Sequence, residues 1–588
     1  MAATKLKAVD VVTIGVGLTG SILAKELTDA GLKVVGLERG QPRDTNPDFA
    51  MPGAHDELRY ARRHELMQNL ARETITFRNA MTDLALPMRQ LGSFLPGEGL
   101  GGAAVHWNGA TYRFLPWDFE TRSATIQRYG GNMLSEECTS QDWGVTYAEL
   151  EPHFDRFERI YGICGKAGNL KGNTQPGGNP FEGPRSNEYP NPPLKTSYVG
   201  ATFAKAAQSL GYHPFPQPSA NMSRPYTNPY GVTQGACVYC GYCERFGCEM
   251  GAKASPQTTV LPVLLKSPNY ELRTLANVTR INLDSSGKRA RSVTYVDARG
   301  REFEQPADLV LLTSYVFNNA RLMLLSGIGK PYDPKANTGV VGRNYAYQTT
   351  SGVGLFFEDR EFNRFMGAGS LSMVIDDFNG DNFDHSGLGF IGGGWIAASS
   401  SGSRPIESHP VPPGTPRWGS GWKRAVARYY NRSFGIGTHG SCQSYRGNYL
   451  DLDPTYRDAL GQPLVRMTFD FRENEYKMSQ YLTARATDIA RAVGPARMAG
   501  GPRSGKYSTV PYQSTHNTGG VVTGADPNTS AVNKYLQSWD VPNLFVFGAS
   551  AFPQNGGVNP TGTIGALTYH AVEAIKARYI KRPGPLAG

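Results

Sequence analysis

An α/β fold in which both chain ends join one nucleotide-binding domain is predicted by three stretches of this 588-residue sequence. Residues 9–14 (VDVVTI) run as a mostly apolar strand into Gly15-Val16-Gly17-Leu18-Thr19-Gly20, then a helical SILAKELTDAG and a second strand, KVVGLE, ending at Glu38. Gln305 to Gly329 repeats the order of strand, turn and helix, and near the other end NLFVFG leads through a loop into a helix starting near Thr561. Apolar strands alternating with helices are the pattern of a parallel sheet covered on both faces. The stretch 350–470 differs: short strands alternate there with glycine-rich turns, as in a largely antiparallel sheet.

Taken in order, the first unit carries a dinucleotide-binding fingerprint. Gly15 permits the tight turn, Gly17 lets the backbone approach a pyrophosphate, and Gly20 allows close helix packing, while Glu38 is placed to hold the adenosine ribose hydroxyls. The fingerprint alone does not separate FAD from NAD, but two further stretches favour FAD. In 97-GEGLGGAAVHWNG-109, glycines including Gly101 and Gly102 would let backbone lie against a flat cofactor, with His106 and Asn108 just beyond. In 541–575, the strand and loop that carry Ala549 lead to a helix whose N-terminus, near Thr561, would aim partial positive charge at the electron-rich edge of a reduced flavin.

Four of the seven cysteines, Cys237, Cys240, Cys243 and Cys248, fall in the single loop CVYCGYCERFGC. Thiolates at this spacing can converge on one soft metal centre, and an iron–sulfur cluster is favoured. Structural zinc and disulfide readings stay open: zinc sites more often use two separated ligand pairs, and Cys138, Cys164 and Cys442 are scattered.

Size and composition, with 39% hydrophobic and 19% charged residues, fit a globular enzyme of two or more domains. The net charge of +10 suits an anionic substrate, an acidic protein or an anionic membrane surface. No cluster of Lys and Arg interleaved with aromatics suggests nucleic acid. No apolar run of membrane-spanning length occurs, and the apolar N-terminal run ends in glycines that the nucleotide fold needs. The chain is therefore expected to lack an export signal of its own, and to be either cytoplasmic or exported already folded on a partner.

On these residues the chain resembles the glucose–methanol–choline oxidoreductases, above all the large flavoprotein subunits of bacterial dehydrogenases that act on gluconate or fructose. The matching stretches are Gly15 to Glu38, GLGG at 99–102 with HWNG at 106–109, GVVGRN at 339–344, STHNTGG around His516, residues 526–550, and NPTGTIGAL at 559–567. The resemblance implies a split architecture. Residues 1–45, 90–125, 255–345 and 505–588 would form a Rossmann-like FAD domain, 46–89, 126–235 and 346–504 the substrate domain and its covering loops, and 236–254 the cysteine loop. Where relatives have small residues after the strand at 309–313, this chain has Ser314-Tyr315-Val316-Phe317.

The resemblance further implies hydride transfer from an alcohol carbon to flavin N5, with His516 taking the hydroxyl proton and Asn559 binding the same oxygen. It implies a covalent bond from His106 to the flavin, and a [3Fe–4S] cluster held by Cys237, Cys243 and Cys248. Cys240 is then an additional thiol, available as a fourth ligand should the cluster be [4Fe–4S]. Electrons would pass to a cytochrome c subunit at the periplasmic face of the bacterial inner membrane, with membrane association through partners and export alongside a small subunit. Gluconate is the favoured substrate. A glycoside 3-dehydrogenase and a non-catalytic electron-transfer flavoprotein are the alternatives, and the His516/Asn559 pair argues against the second. His570 reads as a packing or capping residue and Asp526-Pro527 as a turn.

Overall fold

The computed structural model describes residues 3–51, 53 and 56–587. The first sheet runs in the order Tyr270–Arg273, Val34–Leu37, Val9–Ile14, Glu302–Leu312, Ala290–Val296 and Asn277–Leu283. The first four strands are parallel and the last two close antiparallel against them. From the far end of the chain, Leu544–Val546 pairs parallel with Val310–Leu312. Strands from residues 9, 302 and 544 therefore finish at one edge, and the loops after Ile14, Leu312 and Val546 open together beyond their carboxyl ends, where open parallel sheets bind ligands.

Helices Leu18–Asp29 and Tyr147–Tyr161 both pack against the C-terminal helix Thr561–Ala574. Close approach requires a missing side chain: a Cβ on Gly565 would lie 2.2 Å from the Phe157 ring. The helix at 147–161, assigned from sequence to the substrate side, thus supports the helix that ends at the cofactor.

The second sheet is antiparallel throughout, ordered Arg497–Gly501, Thr349–Phe356, Ser433–Gly440, Gly394–Ser399, Ser372–Ile375 and Phe215–Pro216. Helices Tyr198–Ser209 and Glu473–Val493 back it, burying Phe203, Leu482, Ala486 and Ile489 against Leu355, Ile396 and Ile436. The stretch read from sequence as strands and turns also contains the helix Gly419–Tyr429. A smaller sheet joins Tyr449–Arg457 and Pro463–Thr468 to Thr76–Arg78 and Leu86–Pro87. Among the described residues no helix is long and apolar enough to cross a membrane.

Candidate active site

A cavity of about 500 Å³ runs between the two large sheets. At one end it is walled by Gly15, Gly17, Glu38, Arg39 and Ala276–Val278; at the other by His106, Asn108, Trp395, His439, His516 and Asn559. Gly102, Ala549 and Thr561 also line it, whereas Gly20, Gly101 and the four loop cysteines do not.

The glycines behave as their spacing predicts. Gly15 sits at φ +95°, and a Cβ on Gly20 would lie 2.1 Å from the Gly15 carbonyl oxygen. A Cβ on Gly102 would lie 3.3 Å from Gly17 Cα, so two side-chain-free residues face each other across the cavity wall. Glu38 accepts the Val16 and Gly40 amides, both at 2.9 Å, and burial raises its pKa against the lowering effect of those bonds. The helix Thr561–Ala574 starts at the cavity with no side-chain cap, leaving its first amides and partial positive charge to a ligand.

His106 is buried and its Nε2 has no hydrogen-bond partner. Burial, aided by nearby Lys253, lowers its pKa to about 3, so the ring is a neutral nucleophile-bearing imidazole. Asn108 also lines the cavity, and its Oδ1 accepts the Ala110 amide at 2.8 Å. These features fit FAD: a glycine cradle for the pyrophosphate, an acid at the ribose end, an uncapped helix end and an orphaned imidazole beside the ring end.

The catalytic end is built by two antiparallel segments, 345–348 and 514–518, which exchange main-chain hydrogen bonds between Ala346 and Thr518. Tyr347 OH donates to Ser514 O and Tyr345 OH to the Asn517 side chain, clamping both flanks of His516. Gln348, fully buried, donates from Nε2 to the carbonyls of Gly556 (2.6 Å) and Val558 (2.9 Å). Its Oε1 is thereby turned to His516 Nδ1 at 2.5 Å. An amide oxygen accepts only, so the proton sits on Nδ1 and Nε2 keeps its lone pair. Asn559 Nδ2 lies 3.1 Å from Nε2, and its Oδ1 is buried without a partner.

Burial lowers the His516 pKa to about 4, leaving a neutral base at neutral pH. His439, not foreseen from sequence, packs edge-on to His516 at 5.6 Å and stacks on Trp395 at 4.3 Å; its pKa is also pushed well below the ordinary value by burial. Tyr315 lines the cavity and accepts a hydrogen bond from Asn517 Nδ2 at 2.8 Å, while Phe317 turns into the core, which accommodates the bulk after the strand. His570 stacks on Tyr535 away from the cavity, and Asp526 closes a turn onto Thr529 and Ser530.

The cysteine loop is tied to the ring end. The Arg245 amide donates to His106 O at 2.6 Å, and Lys253 Nζ donates to the carbonyls of Trp107, Cys243 and Phe246. Cys237 and Cys243 share an apolar cluster with Leu194, Ala368 and Leu371. Burial pushes Cys237 up to about 11 and Cys243 up to about 12, with smaller upward contributions from the neighbouring loop cysteines. The thiols share a neighbourhood, yet among the described residues no three His, Cys, Asp or Glu are arranged to close on one metal ion.

The fold and cavity define a flavin-dependent oxidoreductase, with a neutral histidine, His516, at the ring end. Models of the GMC oxidoreductase family match residues 197–350 and 444–568. The chain is 50% identical over 590 aligned residues, 99% of its length and 96% of the relative, to the gluconate 2-dehydrogenase flavoprotein of Pantoea cypripedii. It is 28% identical to the 2-methyl-1,2-propanediol dehydrogenase of Mycolicibacterium austroafricanum (97% and 95% covered) and 26% to the fructose dehydrogenase large subunit of Gluconobacter japonicus (96% and 97%). Pyridoxine 4-oxidase from Mesorbium loti shares the fold, with a TM-score of 0.59 at 16% identity over 96% of this chain and 98% of that one. The protein belongs to the GMC oxidoreductase family.

The hydrogen-bonded Gln348 makes a kinetic prediction. The rate at which substrate bleaches the flavin should rise with pH along a limb near 4, the pKa of buried His516, because only neutral Nε2 accepts a proton. In Gln348→Glu a carboxylate opposite Nδ1–H stabilises the imidazolium and moves that limb upward; stopped-flow absorbance across pH measures both, and an unmoved limb contradicts the assignment.

Proposed function

We propose that the protein is an FAD-dependent dehydrogenase that oxidises an alcohol carbon of a sugar acid, with gluconate the favoured substrate. The observation that carries the catalytic part is the unprotonated Nε2 of His516, which accepts from Asn559 Nδ2 at 3.1 Å at the ring end of the cavity. The substrate class is supported by the whole-chain similarity to a gluconate 2-dehydrogenase flavoprotein. FAD, when bound, supplies the two-electron acceptor for the hydride that leaves the alcohol carbon. His516 Nε2 takes the hydroxyl proton, Asn559 Nδ2 holds the same oxygen, and Gln348 keeps the second ring nitrogen protonated. Trp395 and His439, stacked on each other, line the cavity from the antiparallel sheet.

Anaerobic mixing with a panel of sugars, polyols and sugar acids should bleach the flavin fastest with gluconate. His516→Ala should slow bleaching by about 100-fold or more while FAD stays bound. Equal rates in the variant would remove His516 from the mechanism.

In the same reading His106 is bonded covalently to the flavin, which its buried and unpartnered Nε2 supports. Acid precipitation then leaves a yellow pellet; a colourless one rejects the bond.

The reading extends to the electron exit. Cys237, Cys243 and Cys248 would hold a [3Fe–4S] cluster, with Cys240 available as a fourth thiol, and such a cluster would supply a one-electron path to a cytochrome c subunit at the periplasmic face of the bacterial inner membrane. Support comes from the sequence spacing of the thiols, from the shared apolar cluster of Cys237 and Cys243, and from the loop's ties to the ring end through the Arg245 amide on His106 O and Lys253 Nζ on the Trp107 and Cys243 carbonyls. Buried thiols give up their protons when a metal replaces them. Protein purified oxidised from source membranes should carry a haem-bearing subunit and show a [3Fe–4S] paramagnetic signal. Haem-free material that is silent in electron paramagnetic resonance contradicts this part alone.

A further inference from the structure

We propose that Arg245 recognises the carboxylate of an anionic sugar-acid substrate, an assignment that rests on the sugar-acid reading above. Among the described residues, the arginines lining the cavity are Arg39, Arg245 and Arg321. Arg39 and Arg321 both pair with Glu73 at the adenosine end. Arg245 stands at the ring end, beside His106.

The imidazoles of that end do not supply positive charge. Burial holds His106 near 3 and His516 near 4, and His439 well below its ordinary value. Lys253 spends its three donors on carbonyls and does not line the cavity. An acid entering the ring end therefore meets one guanidinium.

That guanidinium has spare capacity. Its Nη2 pairs with Glu407 at 2.9 Å, but Glu407 is already held by both terminal nitrogens of Arg63 at 3.0 and 2.8 Å. One carboxylate is thus shared by two cations. The Arg245 Nε is buried and has no partner. Glu244, the acid beside it in the chain, accepts a hydrogen bond from the Tyr512 hydroxyl, and the guanidinium lies over the Tyr512 ring at 5.0 Å. A planar fork with a free edge is suited to a carboxylate, which it can grip through parallel hydrogen bonds.

The backbone adds an independent sign. Arg245 has φ +70°, a left-handed conformation that a non-glycine residue keeps only where its surroundings enforce it. Here the enforcement is its amide hydrogen bond to His106 O. Arg245 lines the cavity, and its amide is tied to His106 O. Gln217, Ser370, Ser399 and Ser401 also line the cavity and offer polar groups that match a chain of hydroxyls.

The test compares gluconate with gluconamide, which keeps the hydroxyls and loses the charge. Wild-type enzyme should prefer the acid in kcat/KM, and Arg245→Gln should reduce that preference roughly 10- to 100-fold, the worth of a charged hydrogen bond. Flavin absorbance per protein reports whether the site is intact. Arg245→Lys keeps the charge without the fork and should lose less of the preference, which preserves the test should the Gln variant not fold. Equal losses for acid and amide, or an undiminished preference for the acid, would overturn the assignment alone. Wild-type indifference to the carboxylate would overturn the sugar-acid reading and this assignment with it.

Discussion

The site turns on one side-chain amide. Gln348 is committed by its nitrogen to two carbonyls of the 556–558 loop, so its oxygen has a single orientation left, and that orientation meets His516. The same residue joins the strand Thr349–Phe356 of the substrate sheet to the loop that delivers Asn559 from the cofactor sheet. Base, hydrogen-bond donor and both domains are therefore registered against each other through one buried group with no conformational freedom to spare. Freezing such groups in advance is how a site avoids the reorganisation that water would require at the moment of reaction.

Burial then sets the electrostatics. Three histidines face the ring end and burial depresses all three, which keeps them neutral. Fixed charges also line the cavity: Glu38, Arg39, Glu73 and Arg321 at the nucleotide end, Glu244 and Arg245 beside His106.

The parts legible in the sequence are those enforced locally. Gly15, Gly17 and Gly20 announce themselves because a turn, an approach and a packing contact each forbid a side chain, and the helix start at Thr561 follows from the glycine-rich loop before it. His516 and Asn559 were readable through resemblance, not through any pattern of their own. Gln348, His439 and Trp395 were not readable: Gln348 meets His516 across 168 residues of chain, and only the fold brings such groups together. Arg245 looked like a residue between cysteines, since a strained φ leaves no mark in composition. The long helix Glu473–Val493 also passed unremarked beside the strand pattern before it, although tertiary packing gives it a clear apolar face.

The central claim is the tautomer of His516, and it can be observed without turnover. Nitrogen-15 NMR of histidine-labelled holoenzyme, with His516→Gln used for assignment, should find the proton on Nδ1 and a bare Nε2 at neutral pH. A proton on Nε2, or on both nitrogens, would contradict the account, because the atom facing Asn559 would then have nothing with which to accept the substrate's proton.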